Sequence, residues 1–286
     1  PGLRVLFYGD SLTAGAPSMC SYAEEFCKCL TATGCYIEGT VCGLCAASAY
    51  EMLEIAQEPF VLDSLQSRWG SGIAHLASQA DLVVIMAGTN DLAFADGKHI
   101  FKSLHGLHMA CHRLGVATVA LGIPDSGGCS IKRLVKRQIP AQRREANSLL
   151  ASWAKGTNTA VEGTNLTPEL FVNSVALMPF GPQSRNAGNW ETDRVHFTAA
   201  GAKVLGYRLA EVLRPLILRF QADCMVAKTS ELAAVGEIPS LNAFLEAFDL
   251  EDEEQIDNAQ HAQQAHRDHR DWELPAVRTL QIYARD

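Results

Sequence analysis

An α/β fold in three layers, with helices on both faces of a five-stranded parallel sheet, is what this sequence predicts for its first 221 residues. Two observations carry that prediction. Strand-length apolar runs alternate along the chain with segments of helical period. Several of these runs stop at short turn-forming sequences, which puts polar residues at the carboxyl ends of the strands, where such sheets bind ligands. Composition agrees: 48% of the 286 residues are hydrophobic and 20% are charged, enough apolar material for one large core.

Residues 4–8 read as the first strand, which stops at Gly9. Residues 22–30 carry a helical period, 36–42 read as the second strand, and 48–56 as a short helix. Residues 73–78 lead into a third strand at 82–87. A helix over 99–114 and a fourth strand over 117–122 follow, and Pro124 stops that strand. A helix over 140–153, a fifth strand over 170–173 and a long amphipathic helix over 199–218 complete the alternation, with Thr198 as candidate cap of the last. The longest apolar runs, 82–87 and 116–123, are strand-length and far short of the ~18 residues a membrane-spanning helix needs. The chain opens at Pro1 with a strand pattern three residues later, so a removed leader or upstream domain is compatible with it and compartment is not read from this end.

The formal charge of −8 is unevenly spread. Residues 222–286 hold 14 acidic and five basic side chains, whereas residues 1–221 hold 18 and 19. That step predicts a nearly neutral domain over 1–221 and an acidic, partly helical or disordered extension over 222–286. Within the extension, 232–248 has an amphipathic pattern, 251–257 is a charge run, and 260–270 is polar with His261, His266 and His269; a solvated tail is expected there rather than a metal site.

Three short motifs hold the chemistry. Gly9-Asp10-Ser11-Leu12-Thr13-Ala14-Gly15 puts a serine between a strand and a helix N-terminus, where its hydroxyl is held and its own N–H faces developing negative charge. Gly88-Thr89-Asn90-Asp91 closes the third strand and offers an amide that donates to an oxyanion without changing its own charge. In Asp193-Arg194-Val195-His196 the acid and the imidazole lie three residues apart, close enough for the carboxylate to fix the ring tautomer and leave the other nitrogen to take a proton. Each motif alone also reads as turn chemistry.

Together and in this order, the motifs resemble the SGNH hydrolases, also called the GDSL esterase/lipase family, over about residues 4–220. The resemblance implies the flavodoxin-like form of the three-layer fold. It also implies hydrolysis of carboxylic esters, short acyl or acetyl esters foremost, through an acyl-serine intermediate. On the matching positions it makes Ser11 the nucleophile, His196 the base and Asp193 its orienting acid, while Ser11, Ala46 and Asn90 form the oxyanion hole. It implies no metal and no cofactor, and a small-molecule, glycan or lipid acyl ester as the partner. An acyltransferase using the same triad, or a weakly active binding protein on the same fold, are the alternatives. The chain departs from the family at Ala46, which stands where a glycine of a Ser-Gly-x-Thr run is expected; Gly43 is the other alignment. If the backbone there has positive φ, the alanine Cβ costs about 1 kcal/mol or more.

The remaining features read as structural. Nine cysteines, six of them between Cys20 and Cys45, are expected to be small core residues rather than a metal knuckle or redox pair, and reduced thiols fit an intracellular setting. His105, His108 and His112 share a helix face and are read as a surface stripe, and Lys132, Arg133, Lys136, Arg137, Arg143 and Arg144 as a solvated basic face. No basic stretch is interleaved with aromatics, so no nucleic-acid partner is expected. Asn165-Leu166-Thr167 is a glycosylation sequon that matters only in a secreted protein.

Overall fold

The structure is a computed structural model that describes residues 2–63, 65, 67–126, 133–156, 166–234 and 277–281. The expected alternation is present. Strand β1 (Leu3–Gly9) runs into the single turn α1 (Ser11–Ala14), and α2 (Tyr22–Thr31) leads to β2 (Ile37–Gly43) and α3 (Ala49–Glu54). A small antiparallel hairpin, β3 (Val61–Asp63) with β4 (Arg68–Gly70), precedes α4 (Ile73–Ala77). Next come β5 (Leu82–Met86), α5 (Gly97–His112), β6 (Ala117–Leu121) and α6 (Arg133–Ala154). Strand β7 (Leu170–Val172), the short helices α7 (Ser174–Leu177) and α8 (Pro182–Asn186), α9 (Ala199–Ala234) and β8 (Val277–Gln281) finish the order.

The main sheet has the order β7-β6-β5-β1-β2-β8. Its first five strands are parallel, as expected, and β8 adds a sixth that runs antiparallel along the outer edge of β2. The β3–β4 hairpin, α7, α8 and β8 are additions to the expected elements. Helix α6 begins before Pro140 and α9 continues well past residue 218. The chain divides into two compact units, one of residues 1–217 with 275–286 and the other of residues 218–274. Of the extension's expected features, residues 235–270 lie outside the described residues. No described helix is long and apolar enough to cross a membrane.

Strand alternation sorts the core to two faces. Leu6, Tyr8, Val83 and Ile85 join the cluster built with α3, α4, α5 and α6. Phe7, one residue out of phase, meets Tyr22 and Phe26 of α2 edge-on, at 5.9 and 5.2 Å between ring centres. The serine motif leads from the carboxyl end of β1, the asparagine motif follows the carboxyl end of β5, and the histidine loop reaches Ser11 there.

Candidate active site

The serine turn is set by its own few residues. Asp10 is the N-cap of α1, and its Oδ1 accepts from the Leu12 N–H at 3.0 Å, which fixes Ser11 as the first helical residue. Gly9 has no alternative: a Cβ there would sit 1.9 Å from the Met86 carbonyl oxygen of the neighbouring strand. Asp10 is wholly buried, and burial pushes its carboxyl up to about 6. The Leu12 amide, the neighbouring Thr89 hydroxyl and His196 partly offset that rise, and the Asp91 charge adds to it.

His196 reaches Ser11 from the far end of the sequence. Its Nε2 lies 2.8 Å from the Ser11 hydroxyl oxygen, and its Nδ1 lies 2.6 Å from Asp193 Oδ2. Asp193 Oδ1 also accepts from the Val195 and His196 N–H groups at 2.8 and 3.0 Å, so the carboxylate folds its own loop before it orients the ring. Arg194 takes φ +64° to make that turn. Burial raises the Asp193 carboxyl, but the bonds from the His196 ring and the two amides outweigh it and hold it below its ordinary value. A bridge between Trp190 and Phe197 and the Thr198 hydroxyl, which accepts from Gly201 N–H at 3.1 Å, tie the loop to the start of α9.

The third arm is the loop after β2. Ala46 has φ +60°, in the left-handed region. Hydrogen-bond accounting across this loop is almost closed. Leu44 N–H donates to Gly9 O, Cys45 N–H to Asp63 Oδ2, and Ala47 N–H to Leu44 O. Ser48 N–H donates to Glu51 Oε2, and Ala49 and Tyr50 N–H to the two oxygens of Asp91. Ala46 N–H is the one amide in that run with no partner among the described residues, and Ser11 N–H across from it has none either. Asn90 Nδ2 donates one hydrogen to Ala47 O at 2.9 Å, leaving its other hydrogen free to donate. Gly43 belongs to β2, in register with Gly9, and a Cβ on it would strike Ala14 at 2.3 Å; its role is close packing.

A hydroxyl beside an imidazole nitrogen, an imidazole with a carboxylate partner, and N–H donors on neighbouring loops are the parts that acyl transfer through a serine requires. Cys45 adjoins this apparatus without competing as a nucleophile, since burial, with Asp63 beside it, pushes its thiol up to about 12. Sequence reasoning missed Asp63 and Asp91 as loop anchors, and Asn147, which holds both the N–H and the carbonyl of Ile123 at 2.8 and 2.9 Å beyond β6. A cavity of about 650 Å³ lies beside the Asp91 turn, lined by Tyr50, Leu53, Glu54, Phe94, Asp96 and His99 among others.

Other residues singled out by sequence lie apart from this centre. His105, His108 and His112 are not a surface stripe: their rings pack on Trp153 at 4.6, 5.4 and 6.1 Å between centres. Burial holds all three below the ordinary histidine value. Their i, i+3, i+7 spacing was a core face, which an apolar partner on α6 completes. Arg143 is likewise buried, 2.8 Å from Asp125, whereas Arg144 is exposed. Lys132, Asn165 and the side chains of Arg133, Lys136 and Arg137 lie outside the described residues. All described cysteines are free, with Cys27, Cys35, Cys42 and Cys111 buried in the core. Among the described residues no group of His, Cys, Asp or Glu is arranged to hold a metal.

Comparison with known proteins comes down on one family. The model of the GDSL-like lipase/acylhydrolase family matches residues 7–204. A member of the lipolytic protein G-D-S-L family from Veillonella parvula is similar in structure, with 16% identity and a TM-score of 0.51 over 74% of this chain and 99% of that one. A carbohydrate esterase family 3 structure from Talaromyces cellulolyticus is similar at 16% identity and a TM-score of 0.50, over 76% of this chain and 99% of that one. No curated protein matches.

Proposed function

The chain belongs to the GDSL-like lipase/acylhydrolase family and is a carboxylic ester hydrolase, and from that premise we propose that it works through an acyl-enzyme on Ser11. The observation that carries this reading is the continuous chain of contacts from Ser11 Oγ through the His196 ring to Asp193, at 2.8 and 2.6 Å. His196 Nε2 takes the Ser11 proton as the oxygen attacks the ester carbonyl carbon. The C=O bond opens to an oxyanion, which accepts from Ser11 N–H, Ala46 N–H and Asn90 Nδ2. As the intermediate collapses, the imidazolium returns the proton to the departing alcohol. Water then repeats the sequence, with His196 as its base, and releases the acid and free Ser11. Asp193 keeps the ring in one tautomer and stabilises its charged form without itself taking the proton.

Short acyl esters are the substrates this reading favours. A carbohydrate esterase among the proteins similar in fold supports that preference. The test is labelling with a serine-reactive fluorophosphonate, followed by a series of 4-nitrophenyl esters from acetate to palmitate. Label on wild type and none on Ser11→Ala, with rates falling as the acyl chain lengthens, is the expected result. Equal labelling of both proteins removes Ser11 from the mechanism, and rates that climb toward palmitate reverse the substrate preference. Added alcohols in the same assay test water as the acceptor, since ester products exceeding free acid would make the chain a transferase.

A further inference from the structure

Two aromatic side chains line the cavity beside the Asp91 turn, and both are largely open to solvent. Tyr50, on α3, is 55% exposed, and Phe94, just past the short helical turn Asp91–Ala93, is 69% exposed. The cavity's volume of about 650 Å³ is that of a small-molecule site. Its lining continues the two loops that carry the proposed oxyanion donors. Tyr50 stands four residues beyond Ala46, and Phe94 four beyond Asn90, so neither is more than about 14 Å of chain from a donor. The two loops are also tied together. Asn90 Nδ2 donates to Ala47 O at 2.9 Å, and Asp91, part of the cavity lining, accepts from Ala49 and Tyr50 N–H at 2.8 and 3.4 Å.

The chemistry of the lining narrows what fits. Its buried polar groups are committed to the fold: both Asp91 oxygens accept from the α3 amides, and the Ser103 hydroxyl donates to His99 O. Leu53 and Ala95 add carbon surface beside them. The charged groups, Glu54, Asp96, His99 and Lys102, are exposed and keep their water. Asp96 is paired with His99 at 2.8 Å, and Lys102 offsets Glu54 in sign, which gives little net pull on an ion. A ring rich in hydroxyls would lose water against the buried lining with no free donor there to replace it. An aromatic ring needs no such replacement, and two open aromatic faces give it partners for offset or edge-on contact.

We propose that this cavity receives the alcohol half of the ester and that Tyr50 and Phe94 select an aromatic ring there. The proposal rests on the Ser11 reading and on its preference for short acyl groups, which leaves the larger neighbouring space to the alcohol. The two rings touch the substrate away from the reacting carbonyl. Their contacts are therefore made equally in the bound ester and the transition state, and they act on KM more than on kcat.

The test compares benzyl acetate with ethyl acetate, two esters of one acid whose alcohols leave with similar ease. Wild type should favour benzyl acetate in kcat/KM by at least about tenfold. Tyr50→Ala combined with Phe94→Ala should lower that preference about tenfold, mainly through KM for benzyl acetate, while Tyr50→Phe, which keeps the ring, should hold it within about two-fold. Because the readout is a ratio from one preparation, a loss of folded enzyme cannot imitate it. A ratio unmoved in the double variant overturns the proposal. So does an acetylated methyl xyloside that outruns benzyl acetate, which would make the cavity a sugar site. A preference for ethyl phenylacetate over ethyl acetate that the double variant loses would move the ring to the acyl side, and overturns it as well. In each of these outcomes fluorophosphonate labelling of Ser11 and hydrolysis of ethyl acetate leave the acyl-serine reading standing. A wild type that takes no label at Ser11 overturns both.

Discussion

The serine turn and the Ala46 loop face each other across one Leu44-to-Gly9 hydrogen bond, yet they reach their geometry by opposite means. The serine turn is locally determined. Gly9 stands where no Cβ fits, Asp10 caps the helix two residues on, and Gly15 takes φ +79° to end it. The Ala46 loop has alanine at its left-handed position and is held by Asp63, Asn90 and Asp91, residues 17 to 45 positions away in sequence. One turn is shaped by its own residues and the other is tied to remote anchors. Substitutions on the serine side should therefore act on chemistry outright, and those on the Ala46 side should act through backbone geometry.

Ser11→Ala is the sharpest break on the first side. With the nucleophile gone and its N–H retained, kcat for 4-nitrophenyl acetate should fall by at least about 10⁴-fold while the far-UV circular dichroism stays unchanged. Turnover persisting within tenfold of wild type would dismantle the acyl-serine mechanism. Asn90→Ala comes next and tests both sides at once, because the amide is the proposed oxyanion donor and also ties down Ala47 O. Loss of one oxyanion donor typically costs 10²–10³-fold in kcat. A value near the upper end of about 10³ is expected here, since the Ala46 loop loosens as well. A loss under ten-fold, measured at saturating ester, would mean that Asn90 is structural.

The same contrast explains what the sequence disclosed. The five parallel strands, the helices between them and the serine, asparagine and histidine turns were legible because each is set by period, caps and glycine within a dozen residues. The expected Ala46 strain was legible too, once the loop was aligned. Asp63 was not, because β3 and β4 are three residues each, too short to show a period, and their cross-strand pair Leu62 and Trp69 is exposed. His105, His108 and His112 were misread because polarity was weighed over spacing, when Trp153 made that face a packed one. Strand β8 went unseen since pairing with the β2 edge is a long-range event, and the acidic composition around it gives no local sign of it.

Asp10 gives a further test of the serine turn, through stability. Its carboxyl ionises at an ordinary 3.8 when exposed and at about 6 in the fold. The folded protein thus holds this proton more tightly, so the group's contribution is fully present below pH 4 and is lost as pH rises through 6. Asp10→Asn keeps an acceptor for Leu12 N–H and removes the charge. It should match wild type at pH 4 and be the more stable protein at pH 8, by up to about 3 kcal/mol. Urea midpoints at the two pH values decide the matter, and a difference that does not change with pH would show that burial of the charge is not what Asp10 contributes.

The smallest effect belongs to Ala46→Gly in the otherwise unchanged chain. The left-handed backbone costs an alanine about 1–2 kcal/mol, and a glycine returns about 0.5–1 kcal/mol of that as extra freedom in the unfolded state. The net gain should be about 1 kcal/mol, or a rise in Tm of about 2–4 °C for a domain of this size. The alanine already has the left-handed backbone, so the gain should appear in stability far more than in kcat. Thermal unfolding checks this, and a Tm unchanged by Ala46→Gly would show that the alanine carries no strain at its left-handed position, so that the Ala46 loop would differ from the serine turn only in where its anchors lie.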